Sequence, residues 1–448
     1  MDTPICDFVR AYRHSGTLRL HMPGHKGVPL LGCEPLDITE IEGADDLYHP
    51  EGIIARSEAN AAALFGAGRT LYSTEGSSQC IRAMLRLALL GYGPREERAR
   101  LLAARNVHRA FVSACALLDL DVAWLMPEGD RRSLCSCPVS PEQVDGAIRH
   151  ERPFAVYLTA PDYLGGSPDL AAIAAVCRAH GVPLLVDNAH GAYLKFLSPS
   201  RHPMDLGAAM CCDSAHKTLP VLTGGAYLHL SREAEAQVGR WAKSAMALFG
   251  SSSPSYLILQ SLDLCNRYLS EDYPGRLAAF LPQVEQLREQ LSRAGWQVLP
   301  SDPLKIVLSG CRRGYTGTEL AALLRQADIE CEFADLDAVV LMVTPENLPE
   351  VRKLAWWADL DLPPRAPLPE LSLPRLPAPR RRMTIRQGAF ARSERVPAAQ
   401  ALGRVCADLT VSCPPAVPIA VSGEEITPEV LRLFAAYDLD TVSVVEEG

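Results

Sequence analysis

Between about residues 56 and 230 two hydrophobic periods alternate along the chain. ARSEANAAALFGA (55–67) and SSQCIRAMLRLALL (77–90) carry apolar residues at helical spacing, whereas FAVYLT (154–159) and PLLVD (183–187) are short, nearly all-apolar runs of strand length. Between those two runs, SPDLAAIAAVCRAH (167–180) reads as a helix, expected to open with Ser167 as N-cap and Pro168 at its first position. Strands that are apolar on both faces and separated by helices predict a mainly parallel sheet covered on both sides. In such a sheet, ligands sit beyond the carboxyl ends of the strands.

A second region, about 270 to 360, begins with the helical RLAAFLPQVEQLREQLSRAG, continues with strand-like WQVLP and KIVLSG, and returns to a helix and a strand in TGTELAALLRQADIE and AVVLMVT. It reads as a smaller α/β domain. From Pro363 to Pro379 there are seven prolines in 17 residues, followed by Arg380, Arg381 and Arg382, which suits an extended linker with a solvated basic end. Two helical stretches around the strand-like PAVPIAVSG then form a small α+β unit. The expected divisions are 1–270 for an arm and major domain, 271–362 for the small domain, 363–383 for the linker and 384–448 for the C-terminal unit.

The 448 residues allow several domains and a large core, and 48% hydrophobic with 22% charged residues is ordinary globular composition. The formal charge of −9 argues against a chain-wide grip on nucleic acid. The longest apolar runs are too short to cross a bilayer, so no membrane partner is expected. The 14 cysteines lie in apolar contexts behind an N-terminus without a signal-peptide pattern, and are read as reduced thiols of a cytoplasmic protein. Cys135 and Cys137 have CxC spacing but no second ligand pair nearby, so no metal is expected.

The chemistry concentrates in VDNAHGAY (186–193) and DSAHKTL (213–219). Asp187 ends a buried strand, and Lys217 follows the apolar GAAMCC with Ser214 and His216 beside it. Alone, such an Asp reads as a turn residue and such a Lys as a solvated one. Together they suit pyridoxal phosphate, which needs a lysine for attachment, an acid for its pyridine nitrogen and donors for its phosphate. Gly76, Ser77 and Ser78 stand where a helix begins, so amides, hydroxyls and the helix dipole converge on an anion there; the plainer reading is an N-cap. His108, after the apolar LLAA, belongs at the top of the sheet, where its ring can stack on the cofactor or simply serve the core. The same two readings cover His190.

HMPGHKG (21–27), DITEIEGADDLYHPEGII (37–54), NVHRA (106–110), VDNAHGAY, DSAHKTLPVLTGGAYLH (213–229) and SSSPSYLILQSLD (251–263) resemble the Orn/Lys/Arg decarboxylase family, as does VPAAQALGRVCADLTVSCPPAVPIAVSGEEI (396–426) its C-terminal domain. The resemblance implies a fold-type-I pyridoxal-phosphate enzyme of the aspartate aminotransferase-like class, in a short form without the receiver-like N-terminal domain of larger members. It implies Lys217 as the Schiff-base lysine, Asp187 as partner of the pyridinium nitrogen and His108 as the ring-stacking base, with Gly76, Ser77, Ser78, Ser214 and His216 on the phosphate. It also implies a homodimer with shared sites, in which Ser252 and Ser253 reach the phosphate of the partner chain. The sequence departs from the family at Asn188 and Tyr193, where acidic and His residues are frequent, at Arg109 and Ala110, where Lys-Ser is common, and at Asp162, where a hydroxyl residue is usual.

The implied reaction turns a basic amino acid into an amine of the polyamine type and carbon dioxide, with His216, Lys217 or a water or other solvent-side group available to return a proton. Glu42, Asp45 and Asp46 are candidates to pair with the distal cation of the substrate, or else cap turns. An aminotransferase, lyase or racemase reading keeps the same cofactor. A silent binding protein on the same fold, or a plain α/β protein, does not need the three residues Lys217, Asp187 and His108 together.

Overall fold

In the computed structural model, residues 1–94, 98–128, 134–351, 354, 357, 362–363, 365–368, 376–411 and 417–447 are described. The major sheet has seven strands, β1 (Arg69–Ser73), β2 (Arg100–Ala104), β3 (Asp121–Leu125), β4 (Ala155–Thr159), β5 (Leu184–Asp187), β6 (Met210–Asp213) and β7 (Ala226–Leu230), in the order β1-β7-β6-β5-β4-β2-β3. β3, β2, β4, β5 and β6 pair in parallel, and only β7 runs against its neighbours β1 and β6.

The all-apolar strands are explained by what covers them. On one face the helices Gly76–Tyr92 and Arg109–Leu118 pack over Leu71, Leu101, Ala103, Tyr157, Leu185 and Cys212; on the other, Pro141–Glu151 and Leu170–Ala179 pack over Leu102, Val156, Leu158, Val186 and Cys211. Successive residues of β4 and β5 therefore enter different cores, the period-2 consequence of a doubly covered sheet. One expectation is corrected here. The helix after β4 is capped by Asp169, whose Oδ1 accepts the Ala172 N–H at 3.0 Å, while Ser167 Oγ donates to the Pro168 carbonyl. The carboxylate two residues nearer the helix satisfies the first-turn donor that the hydroxyl does not reach.

Two long helices, Tyr256–Glu271 and Tyr273–Arg293, lead out of the major sheet. The smaller sheet follows, with β8 (Gln297–Leu299), β9 (Lys305–Ser309), β10 (Phe333–Ala334) and β11 (Ala338–Met342) in the order β10-β11-β9-β8. Every pairing in it is antiparallel, because the short links between β8 and β9 and between β10 and β11 leave room for hairpins but not for a crossover helix.

At the C-terminus, β12 (Ser393–Pro397) pairs with β15 (Thr441–Val445), and β13 (Thr410–Val411) with β14 (Ala420–Val421), around the helix Pro428–Ala436. The strand expected in PAVPIAVSG is present as β14; its first two residues lie outside the described ones. Much of the proline-rich segment also lies outside them. The basic run is exposed, as expected, and is also anchored by ion pairs, Arg381 with Asp121 and Arg382 with Glu425 at 2.6 Å. Among the described residues no helix is long and apolar enough to cross a membrane.

Candidate active site

A cavity of about 70 Å³ opens at the carboxyl ends of β2, β4, β5 and β6, and its walls include Ser77, Asn106, His108, Asp187, His190 and Lys217. Parallel strands aim their C-terminal loops to one side, so residues far apart in sequence meet there. The positions singled out for chemistry in VDNAHGAY, DSAHKTL, LLAARNVHRAF and LYSTEGSSQ thus share one small space.

Asp187 is 1% exposed at the end of β5. Its Oδ1 accepts the Ala189 N–H at 3.2 Å and its Oδ2 accepts the Tyr157 hydroxyl at 3.2 Å, which fixes the carboxylate without neutralising it. Lys217 follows β6 on a single turn of helix, Ala215–Thr218. Its Nζ lies 3.0 Å from His190 Nε2. Burial pushes the Lys217 ammonium below its ordinary range, partly opposed by the negative charge of Asp187. Burial, and then the charges of Lys217 and Lys305, hold His190 well below the ordinary imidazole range. A neutral His190 that accepts at Nε2 carries its proton on Nδ1, and that buried atom has no partner.

His108 is the N-cap of the helix Arg109–Leu118. Its Nδ1 accepts the Ala110 N–H at 3.1 Å, which sets the ring at the mouth of the cavity with the neutral-state proton on Nε2. The helix Gly76–Tyr92 starts where the sequence places it. Gly76 has φ +70, a conformation that suits glycine, and its N–H donates to the Gly224 carbonyl at 2.7 Å. Gly76 therefore shapes the turn, and the amides that follow it have no helical acceptors. Ser214 Oγ donates to Ser77 Oγ at 2.8 Å, and His216 donates from Nδ1 to the Gly225 carbonyl at 3.0 Å with its ring against Gly76. Ser77, Ser78, Ser214 and His216 thus gather around one helix start.

The remaining candidates stand elsewhere. Asp45 accepts the N–H groups of Gly52 and Ile54, both at 2.9 Å, at the start of the helix Ile53–Phe65, and Asp46 accepts from Tyr48 N–H at 2.7 Å and His49 at 3.1 Å. These are turn and cap contacts, and Glu42 is exposed on the surface. Ser252 and Ser253 are exposed, in a loop whose Ser251 N–H donates to Glu75 of the same chain.

Sequence reasoning missed several wall residues. Asn106, Thr159, Cys135, Tyr163 and Val417 line the cavity, and Asn106 Oδ1 and Thr159 Oγ1 are buried without partners. Tyr163 sets its ring edge-on to His190 with centroids 4.8 Å apart, and its hydroxyl donates to Glu332 at 2.5 Å. Behind it, Lys305 is 1% exposed and reaches the Asp162 carbonyl at 3.1 Å and Asp302 at 2.9 Å, while the Tyr193 hydroxyl donates to Asp302 at 2.7 Å. Two of the positions that depart from the family pattern, Asp162 and Tyr193, meet in this seam between the major and smaller sheets. A third, Asn188, donates to Asp213 at 2.6 Å. Asp213 also binds His202 at 3.0 Å and His229 at 3.2 Å. Burial pushes its carboxyl up, but the two histidines outweigh that and hold it well below the usual carboxylate range.

Comparison with known proteins shows the family and the fold. The family model for the Orn/Lys/Arg decarboxylase major domain matches residues 3–311. Arginine decarboxylase of Halalkalibacterium halodurans is 29% identical over 460 residues, covering 95% of this chain and 91% of the relative. Arginine decarboxylase of Bacillus subtilis is 28% identical, covering 96% and 92%. A crystal structure of a lysine decarboxylase from Francisella novicida shares the fold, with a TM-score of 0.79 at 15% identity over 99% of this chain and 81% of that one. With the major-domain match spanning more than half its length, the chain belongs to the Orn/Lys/Arg decarboxylase family.

Proposed function

We propose that this chain decarboxylates a basic amino acid using pyridoxal phosphate held in the cavity at the carboxyl ends of β2, β4, β5 and β6. One observation carries the reading: a buried carboxylate and a partly buried lysine, 30 residues apart in sequence, face one cavity that is also lined by Ser77 at the start of a helix. The residues present fit the cofactor. The unpartnered His190 Nδ1, Asn106 Oδ1 and Thr159 Oγ1 are buried polar atoms that await a ligand, and the donors around Ser77 suit a dianion.

When bound, pyridoxal phosphate supplies the electron sink that receives the electron pair of the breaking Cα–carboxylate bond. Lys217 attaches it through Nζ, favoured by the burial that lowers the cost of the neutral amine. Asp187, fixed by Tyr157 and Ala189, holds a proton on the pyridine nitrogen. His108, set at the mouth by its cap bond, covers the ring. Neutral His190 accepts from Lys217 Nζ, so the lysine would have a nearby group with which to exchange a proton. Tyr163, edge-on to His190 and to Phe333, would close the side toward the smaller sheet.

Arginine heads the candidate substrates, because the curated relatives that match nearly the whole chain are named arginine decarboxylases. Incubation of the holoenzyme with arginine, lysine and ornithine is expected to release carbon dioxide and the matching amine from at least one of them. Keto-acid formation without carbon dioxide would replace this reading with an aminotransferase.

The site is completed in a homodimer of cytoplasmic type, with Ser252 and Ser253 on the phosphate of the partner. Both residues are exposed, which leaves them free to meet a second copy of the chain. An isologous contact puts each loop in the opposite pocket. Lys217→Ala and Ser253→Trp, each inactive alone, should then complement after subunit exchange. A mixed dimer holds one pocket with both defects and one with neither, and its activity is expected at about half that of wild type. Exchange demonstrated by mass without any return of activity would assign the loop to its own subunit.

A further inference from the structure

Two loops that wall the cavity are held from outside by the C-terminal unit. The first follows β2 and carries Arg105 directly before Asn106, Val107 and His108. The Arg105 side chain is 1% exposed. Its guanidinium forks onto both carboxylate oxygens of Glu424 at 2.7 Å, donates from Nε to the Pro418 carbonyl at 3.2 Å, and lies over the Trp124 ring at 4.6 Å. Glu424 is itself fixed by the Val421 N–H at 2.9 Å, at the end of β14. The second loop carries Cys135. There the Leu134 carbonyl accepts the Val417 N–H at 2.9 Å, and Cys135 and Val417 both face the cavity.

A guanidinium this deep needs a carboxylate partner, and a planar fork fixes direction as well as distance. The pair joins residues 319 apart in sequence. One of them opens the stretch that ends in His108; the other belongs to the C-terminal unit that also contributes Val417.

We infer that Glu424, acting through Arg105, is a positioning residue that holds Asn106 and His108 against the cavity, which makes the C-terminal unit a working part of the site. The inference rests on the assignment of this cavity to pyridoxal phosphate.

Hydrogen exchange on the cofactor-free protein tests it. The Arg105 N–H donates to the Leu125 carbonyl and the Ala110 N–H to His108, both at 3.1 Å, so these two amides report on the loop. In Glu424→Gln both are expected to exchange at least about tenfold faster, the loss of one charge-assisted hydrogen bond, while amides of β4 and β5 stay protected. Affinity for added pyridoxal phosphate, read by absorbance, should fall by a similar factor. Arg105→Lys, which keeps the charge and loses the fork, should move both readouts in the same direction if Glu424→Gln does not fold. Leu433→Ala, in the core of the C-terminal unit, should lower the melting temperature and move neither.

Unchanged exchange at Arg105 and Ala110 overturns the inference. So does faster exchange with unchanged affinity, and so does the same pattern in Leu433→Ala. Failure of the wild-type protein to bind pyridoxal phosphate is a different result: it removes the functional reading and leaves the exchange comparison standing.

Discussion

Lys217→Ala is expected to abolish turnover and to leave bound pyridoxal phosphate that borohydride no longer fixes to the chain. Lys217 is the lysine among the residues that line the cavity, and its Nζ sits 3.0 Å from His190 Nε2 in a setting that favours the neutral, nucleophilic amine. The lysines nearest in sequence do not replace it. Lys195 is bound to both oxygens of Asp205 at 2.7 and 2.9 Å, and Lys243 to Glu58 at 2.7 Å and the Leu47 carbonyl at 2.6 Å. Lys305 does not line the cavity; it donates to the Asp162 carbonyl and is paired with Asp302. Reduction of the wild-type enzyme followed by digestion should therefore place the label on the peptide containing Lys217. In the variant the cofactor should leave entirely on denaturation. A label that survives in Lys217→Ala, on the peptide of Lys305 or any other lysine, would move the attachment point and with it the whole site.

What the sequence made legible follows from how far each signal travels along the chain. Asp187 at its strand end and Lys217 just after another apolar run stand out because charged residues there violate the local pattern, and the helix start at Gly76 because glycine and two serines precede an apolar run of helical period. Both signals are local. The same locality explains the misreading at Ser167, where two candidate caps lie two residues apart and only the folded geometry shows that Asp169 reaches the first turn.

Residues joined by tertiary packing gave no such sign. Tyr163 lies in a loop whose composition predicts only a turn, yet it closes the cavity against Phe333 of the smaller sheet with ring centroids 5.4 Å apart. Arg105 reads as an ordinary arginine ending an apolar run until Glu424 folds onto it. Asp45 and Asp46 show the reverse. Their acidic cluster reads equally as a cation site or as turn caps, and Asp45 takes the second part, accepting four backbone N–H groups within 3.1 Å. Short polar side chains in loops serve the backbone first.

Asp187→Ala should lower activity roughly 100- to 1000-fold, the range for losing one preorganised electrostatic contact to the developing charge, and should do so with most of the cofactor still bound. The two effects separate because they depend on different parts of the site. The phosphate cup of Ser77, Ser214 and His216 belongs to the helix start and to the turn after β6, and none of these residues touches the Asp187 carboxylate. What the variant loses is the charge that keeps the pyridine nitrogen protonated, without which the electron pair of the breaking bond has no sink. The carboxylate is also a buried acceptor, and its removal strands the Tyr157 hydroxyl and the Ala189 N–H. Asp187→Asn reduces that loss, since the amide oxygen can accept the Ala189 N–H while the amide NH2 donates to the Tyr157 hydroxyl oxygen, and the side-chain volume is kept while the negative charge is removed. The expected pair of results is a melting temperature closer to wild type in Asp187→Asn than in Asp187→Ala, with activity low in both. Cofactor content, measured after release by alkali, should fall far less than activity does, because the phosphate cup is retained. Turnover near wild type in either variant would show that the pyridine nitrogen is served by another acid, and Asp187 would return to the plainer role of ending β5.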